Sequence, residues 1–160
     1  MKQSAIILGL VVGLLTTGIS SAQTLSSARP SLIAIQVEDL DISIKWYVDH
    51  LMFRVLNKKE FKDHALRLAI LELGDFKLEL VDNDKALNKR SLLNQNNATD
   101  LTGFAKVAFN TGHVDSLYHS LKGSGAVFAV TLRESNINPA EQFFIVLDCD
   151  NNWLQFVGPK

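Results

Sequence analysis

One short pattern occurs twice in this chain, and it limits the folds available more than any other feature. Ile33-Ala34-Ile35-Gln36-Val37 runs into Leu40-Asp41, and Val107-Ala108-Phe109-Asn110-Thr111 runs into Val114-Asp115. Each copy closes on a matching apolar-polar-apolar stretch, Leu78-Glu79-Leu80-Val81 in the first and Leu154-Gln155-Phe156-Val157 in the second. A duplicated unit builds a two-fold scaffold, and the groove between its copies is a natural place for a ligand.

Alternation and helical spacing fill in each copy. Leu32 to Val37 alternates as a strand. Leu40, Ile44, Tyr47 and Leu51 then recur at helical spacing, predicting a helix from Asp41 to about His50 that Asp39 or Asp41 caps. Strands follow at Phe53–Phe61, Ala65–Leu73 and Phe76–Val81, with Lys62-Asp63-His64 and Gly74-Asp75 as turns. In the second copy, Phe104–Asn110 is a strand. Val114, Leu117, Tyr118 and Leu121 give a helix to Lys122 that Gly123 and Gly125 end. Strands are expected at Ala126–Leu132, Phe143–Leu147 and Trp153–Val157. The class is therefore α+β, two tandem βαβββ modules forming a curled mixed sheet around a cavity. Module boundaries fall at 30–81 and 104–157. The Asn-, Asp- and Lys-rich linker 82–103 separates them and carries a short helical turn near Ser91 to Leu93.

The first 22 residues have the layout of a secretory signal peptide. Lys2 supplies a basic start, Ala5 to Leu15 an apolar run, and Ser20-Ser21-Ala22 a small-residue cleavage site. The run is shorter than the ~20 residues that span a bilayer. Residues 23–29 then read as a linker to the domain at 30–160. The expected destination is the periplasm or the exterior, with no membrane association after cleavage. Cys149 is the only cysteine, so no internal disulfide forms; it is a reactive thiol or a small half-buried apolar residue. A formal net charge of −1 gives no long-range pull toward nucleic acid.

Three stretches of the region from about Pro30 to Pro159 resemble the vicinal oxygen chelate superfamily, which includes glyoxalase I, fosfomycin and bleomycin resistance proteins and extradiol dioxygenases. These are Val37 to Tyr47, Gly103 to Asp115 with Gly125-Ala126, and Phe144 to Phe156. Within the last, Asp148-Cys149-Asp150-Asn151-Asn152 is similar to the family's Asp-Pro-Asp-Gly-Asn turn. Cys149 stands in place of Pro. Asn151 stands in place of Gly and tolerates the left-handed backbone. In metal-using members, the resemblance implies, ligands come from the first and last strands of each module. Here those positions are Leu32, Glu79, Lys106 and Gln155.

This set is poor for a catalytic metal, which normally needs about three protein ligands. Leu32 has no donor atom, and Lys106 brings a cation; only Glu79, and more weakly Gln155, offer oxygen. His50, His64, His113 and His119 all lie off the predicted cavity strands. Strand parity places Leu32, Ala34 and Gln36 on one face, with Lys106, Ala108 and Asn110 on the matching face of the second copy. The closing strands add Lys77, Glu79 and Val81, then Trp153, Gln155 and Val157. Lys106 and Glu79 either pair across the cavity or are solvated separately. Trp153 is either a stacking wall or a core aromatic. Arg67 is either a cavity residue or an exposed edge residue, and His113 is a helix cap or a surface residue rather than a base.

These residues lead to three expectations. One is a metal-independent binding protein whose cavity, with Leu32, Gln36, Glu79, Lys106, Asn110, Trp153 and Gln155, holds a small polar or aromatic molecule. Another is a metal-dependent lyase, isomerase, transferase or dioxygenase, with Glu79 and Gln155 as the available ligands. The last keeps the fold but not the pocket. The resemblance also implies a homodimer.

Overall fold

The computed structural model describes residues 30–86 and 103–160. The signal segment 1–22, the linker 23–29 and the helical turn at Ser91 to Leu93 lie outside the described residues. The region Ser31–Lys160 forms one compact unit. Its first half contains β1 (Ile33–Val37), α1 (Leu40–Leu51), β2 (Arg54–Phe61), β3 (Leu66–Leu73) and β4 (Phe76–Asn83). Its second half contains β5 (Val107–Asn110), α2 (Val114–Gly123), β6 (Val127–Glu134), β7 (Glu141–Leu147) and β8 (Trp153–Pro159). The two sheets share one topology, β1-β4-β3-β2 and β5-β8-β7-β6. In each, the first strand runs parallel to the last and the other neighbours are antiparallel. The duplicated βαβββ order is thus observed as two curled, open mixed sheets. No helix among the described residues is long and apolar enough to cross a membrane.

Parity divides each sheet as the sequence predicts. Val37, Ala69, Leu71, Leu78 and Leu80 are buried on the face that packs under α1, which contributes Leu40, Ser43, Tyr47 and Leu51. Phe144, Val146, Leu154 and Phe156 do the same under α2, which contributes Val114, Tyr118 and Leu121. A run of rings joins the two halves into one core. Tyr47 meets Phe53 at 5.5 Å, Phe76 meets Phe109 at 5.1 Å, and Phe109 stacks on Phe156 at 5.1 Å. Each such pair contributes about 0.5–1.5 kcal/mol beyond the area it buries.

A polar contact also ties the halves together. The β7–β8 turn, Asp148 to Asn152, docks on α1. Asp148, only 4% exposed, accepts hydrogen bonds on Oδ2 from the Tyr47 hydroxyl (2.8 Å) and Asn152 Nδ2 (2.9 Å). Its Oδ1 accepts from the amides of Asp150 (2.9 Å) and Asn152 (2.7 Å). Ser43 donates to Asp150 at 3.0 Å, and the Glu38 amide donates to the other oxygen of Asp150 at 3.1 Å. Asn151 takes φ 64°, the left-handed turn position that Asn tolerates. Burial pushes the Asp148 carboxyl above the usual aspartate value, against the hydrogen bonds that favour its ionised form. Burial first, and the Asp148 charge second, push the Tyr47 phenol well above its ordinary range.

Local departures from the expected elements have identifiable causes. β4 continues two residues past Val81 because Asp82 and Asn83 pair with Arg67 and Leu66. β5 begins only at Val107, so Phe104 and Lys106 precede it. Asp39 caps α1 by accepting from the amides of Asp41 and Ile42, and Asp82 accepts from the Leu40 amide. Asp41 instead pairs with Lys58 and Arg67, and the Lys58 hydrogen bond is the largest influence lowering its carboxyl below the usual value. His113 occupies the N-cap position of α2, but its side chain makes no capping bond. At the place corresponding to Asp82, the second module has Gly158. A Cβ there would lie 1.9 Å from the Thr111 carbonyl oxygen, so only glycine lets the chain approach so closely.

Gly158→Ala is therefore expected to lower stability by about 3 kcal/mol, at the upper end of overpacking costs, as a fall in denaturant midpoint. Asp148→Ala should cost ~3 kcal/mol, because the Tyr47 hydroxyl and two turn amides lose their acceptor. The sign of the Tyr47 effect follows from its raised pKa. The native state holds the phenolic proton more tightly than the unfolded chain, so this contribution is complete below 10.0 and declines as pH rises beyond it. Tyr47→Phe should be less stable at neutral pH yet show a flatter loss of stability above that value, measured by urea unfolding across pH.

Candidate functional site

The faces turned away from the helices carry the chemistry. The register brings the same three-residue row to the middle of each sheet. In the first, Ala34 pairs with Glu79 and Glu79 with Ile70. In the second, Ala108 pairs with Gln155 and Gln155 with Ile145. A small residue on the edge strand, an oxygen donor on the closing strand and an isoleucine beyond it thus recur at equivalent places. The next row is Gln36, Val81 and Leu68 in one sheet and Asn110, Val157 and Phe143 in the other.

The two rows differ in depth. Ala34, Gln36, Ala108 and Asn110 are exposed, and Glu79, Trp153 and Gln155 are half-buried. Ile145 is only 4% exposed although it lies on the face away from α2, so the second sheet has the more enclosed floor. On that floor the Gln155 carbonyl oxygen, Oε1, is buried and has no hydrogen-bond partner among the described residues. An unsatisfied buried acceptor costs about 1–3 kcal/mol, and native structures carry few of them.

The other candidates fall in different places. Leu32 is 39% exposed and stands before β1, and Lys106 is exposed before β5. Among the described residues no ion pair joins Lys106 to Glu79. Trp153 continues the Gln155 face by one step and is absent from the buried aromatic core. Arg67 is neither a cavity nor a free edge residue. It alternates onto the helix side of β3, where its Nε donates to Asp82 at 3.1 Å and a terminal nitrogen to Asp41 at 3.0 Å. A hollow of about 290 Å³ lies beside it, lined by Glu60, Lys62, Asp82 and Asp84 among others. Its arginine is already matched by carboxylates. Cys149 is exposed at the tip of the β7–β8 turn, 3.3 Å from the Ser43 hydroxyl. Partial burial pushes its thiol up to about 11, so little of it is thiolate at neutral pH.

The four positions that the resemblance marks for metal ligation carry Leu32, Glu79, Lys106 and Gln155. Leu32 offers no donor, Lys106 offers a cation, and no group of three His, Cys, Asp or Glu residues suited to a metal exists among the described residues. The sequence identified Gln155 and Trp153 as neighbours on one face. It did not single out Ile70 and Ile145, although aligning β3 with β7 through the repeat would have revealed them.

Comparison with known proteins agrees with the fold. The family model for the Glyoxalase/Bleomycin resistance protein/Dioxygenase superfamily matches residues 29–156. A glyoxalase family protein from Enterococcus faecalis superposes with a TM-score of 0.70 at 20% identity, over 82% of this chain and 98% of that one. A glyoxylase/bleomycin resistance protein/dioxygenase domain from Frankia sp. EAN1pec gives 0.66 at 23% identity, over 83% and 98%. Glyoxalase I from Zea mays gives 0.64 at 21% identity, over 82% of this chain and 47% of that longer one. No curated protein matches. At these identities the solved structures establish the fold alone.

Gln155→Leu removes the stranded acceptor while keeping the side-chain bulk. It is expected to raise the stability of the ligand-free protein by ~1 kcal/mol, read as an increased urea midpoint.

Proposed function

Given that the chain belongs to the Glyoxalase/Bleomycin resistance protein/Dioxygenase superfamily, we propose that it is an exported protein that binds a small polar or aromatic molecule without a metal. The observation that carries this reading is the pair Leu32 and Lys106 at positions that the resemblance marks for metal ligands. An ammonium group at one of those places repels a divalent cation, by several kcal/mol at ~4 Å and an intermediate effective dielectric. What remains on the same faces suits an organic ligand: an indole, a half-buried carboxylate with no ion-pair partner among the described residues, and apolar surface. Export is supported by the basic start, the apolar run and the small residues before Gln23. Pairing as a homodimer is in keeping with the open sheet faces, and light scattering at micromolar concentration tests it.

The second reading is a metal-dependent lyase, isomerase, transferase or dioxygenase. The half-buried Glu79 carboxylate, with no ion-pair partner among the described residues, favours it. Native mass spectrometry of protein purified without chelator separates the two. The binding reading expects substoichiometric metal, together with a rise in melting temperature for some members of a metabolite panel. Zinc, nickel, manganese or iron near one per chain would establish the second reading instead.

A further inference from the structure

The hollow of about 290 Å³ beside Arg67 is a second place for a small molecule. It belongs to the first module and shares no residue with the Gln155 face. Register builds one of its walls. Glu60 on β2 pairs with Arg67 on β3, and Arg67 with Asp82 on β4, so carboxylate, guanidinium and carboxylate stand in one row. Phe61, Ala65 and Leu66 add apolar surface, and Lys62 and Asp84 add one charge of each sign. Pockets for organic ligands start near ~300 Å³, so this hollow suits a molecule of amino-acid size.

The charge of Arg67 is matched, but its donors are not used up. A guanidinium carries about five N–H groups, two of them on each terminal nitrogen. Nε and one terminal nitrogen donate to Asp82 Oδ2, and the other terminal nitrogen donates to Asp41. Each terminal nitrogen therefore keeps an N–H without a partner among the described residues. Asp82 is unsaturated in the same way. Its Oδ2 accepts from Arg67 and from the Leu40 amide, while Oδ1 has no partner among the described residues. The two side chains are only 35% and 14% exposed, so contacts to them are screened less than contacts on open surface. Glu60, Lys62 and Asp84 are exposed and have no ion-pair partner among the described residues.

We infer that this hollow binds a small apolar α-amino acid. An α-amino acid carries its carboxylate and its ammonium on one carbon, and the Arg67–Asp82 pair sets a donor group beside an acceptor oxygen. The ligand carboxylate accepts from the remaining Arg67 N–H groups, with Lys62 as the second cation. The ligand ammonium donates to Asp82 Oδ1. The apolar side chain lies against Phe61, Ala65 and Leu66. A lone cation would meet Arg67 and Lys62, and a lone anion would meet Glu60, Asp82 and Asp84. A zwitterion satisfies a wall of both signs without adding net charge.

The test uses three probes that share one branched alkyl group: L-leucine, 3-methylbutylamine, which lacks the carboxylate, and 4-methylpentanoate, which lacks the ammonium. Backbone amide shifts of the full mature chain, labelled with nitrogen-15, are followed on titration. Leucine should give saturable shifts centred on residues 60–67 and 82–84, with about tenfold higher affinity than either analogue. Lys62→Ala, an exposed change, should weaken leucine and 4-methylpentanoate about threefold and leave the amine unaffected. Arg67→Lys keeps a cation beside Asp41 and Asp82 but removes the forked donors, and should bring leucine down to the affinity of the amine. Equal affinity of leucine and either analogue in the unsubstituted protein overturns the amino-acid assignment. Shifts centred on Trp153 and Gln155 overturn the location while supporting the binding face proposed above. No saturable shift from leucine at millimolar concentration overturns the site and leaves that other reading untouched.

Discussion

The joint between the two modules depends on one buried carboxylate. Asp148 takes four hydrogen bonds, three from its own turn and one from Tyr47 on the helix of the other module. An ionised group held at 4% exposure is stable only when it is so completely satisfied. The turn is therefore shaped by the same carboxylate that anchors it, its amides on Oδ1 and the Tyr47 hydroxyl on Oδ2. Because that turn leads directly into β8, the staple also sets where Trp153 and Gln155 begin. The ring contacts through Phe53, Phe76 and Phe109 add apolar adhesion without comparable directionality.

Duplication supplies two equivalent rows, and divergence gives them different chemistry. Glu79 and Gln155 occupy the same register position, one a carboxylate and the other an amide. Asp82 and Gly158 are likewise equivalent. The first accepts from the α1 amide of Leu40 and holds Arg67, whereas the second lies against the Thr111 carbonyl. The outcome is a charged, exposed first sheet and a more enclosed second sheet whose amide oxygen lacks a donor among the described residues.

Much of the architecture was legible because it rests on short-range rules. The period-two pattern of β1 and β5 and the helical spacing of Leu40, Tyr47 and Leu51 each follow from local geometry. The turn at Asn151 was legible for the same reason, through the few residues that accept positive φ. Misjudged details involve partners distant in the chain. β4 outran its predicted end because Arg67 and Leu66 offered pairing, and Arg67 turned to the helix side because Asp41 and Asp82 converge there. His113 stands at the N-cap position of α2 without a side-chain capping bond and is exposed, in keeping with the surface alternative.

By itself, then, the amino-acid order determined the duplicated βαβββ plan and the division of each strand into a core face and an open face. Side-chain period and turn chemistry act over a few residues and need no knowledge of the rest. Only the tertiary structure decided which polar groups are satisfied. It gave Tyr47 to Asp148 across 101 positions, matched Arg67 with two carboxylates, and left the Gln155 oxygen buried without a donor among the described residues. Hydrogen-bond satisfaction depends on which remote groups arrive within about 3 Å, and sequence spacing does not encode that distance.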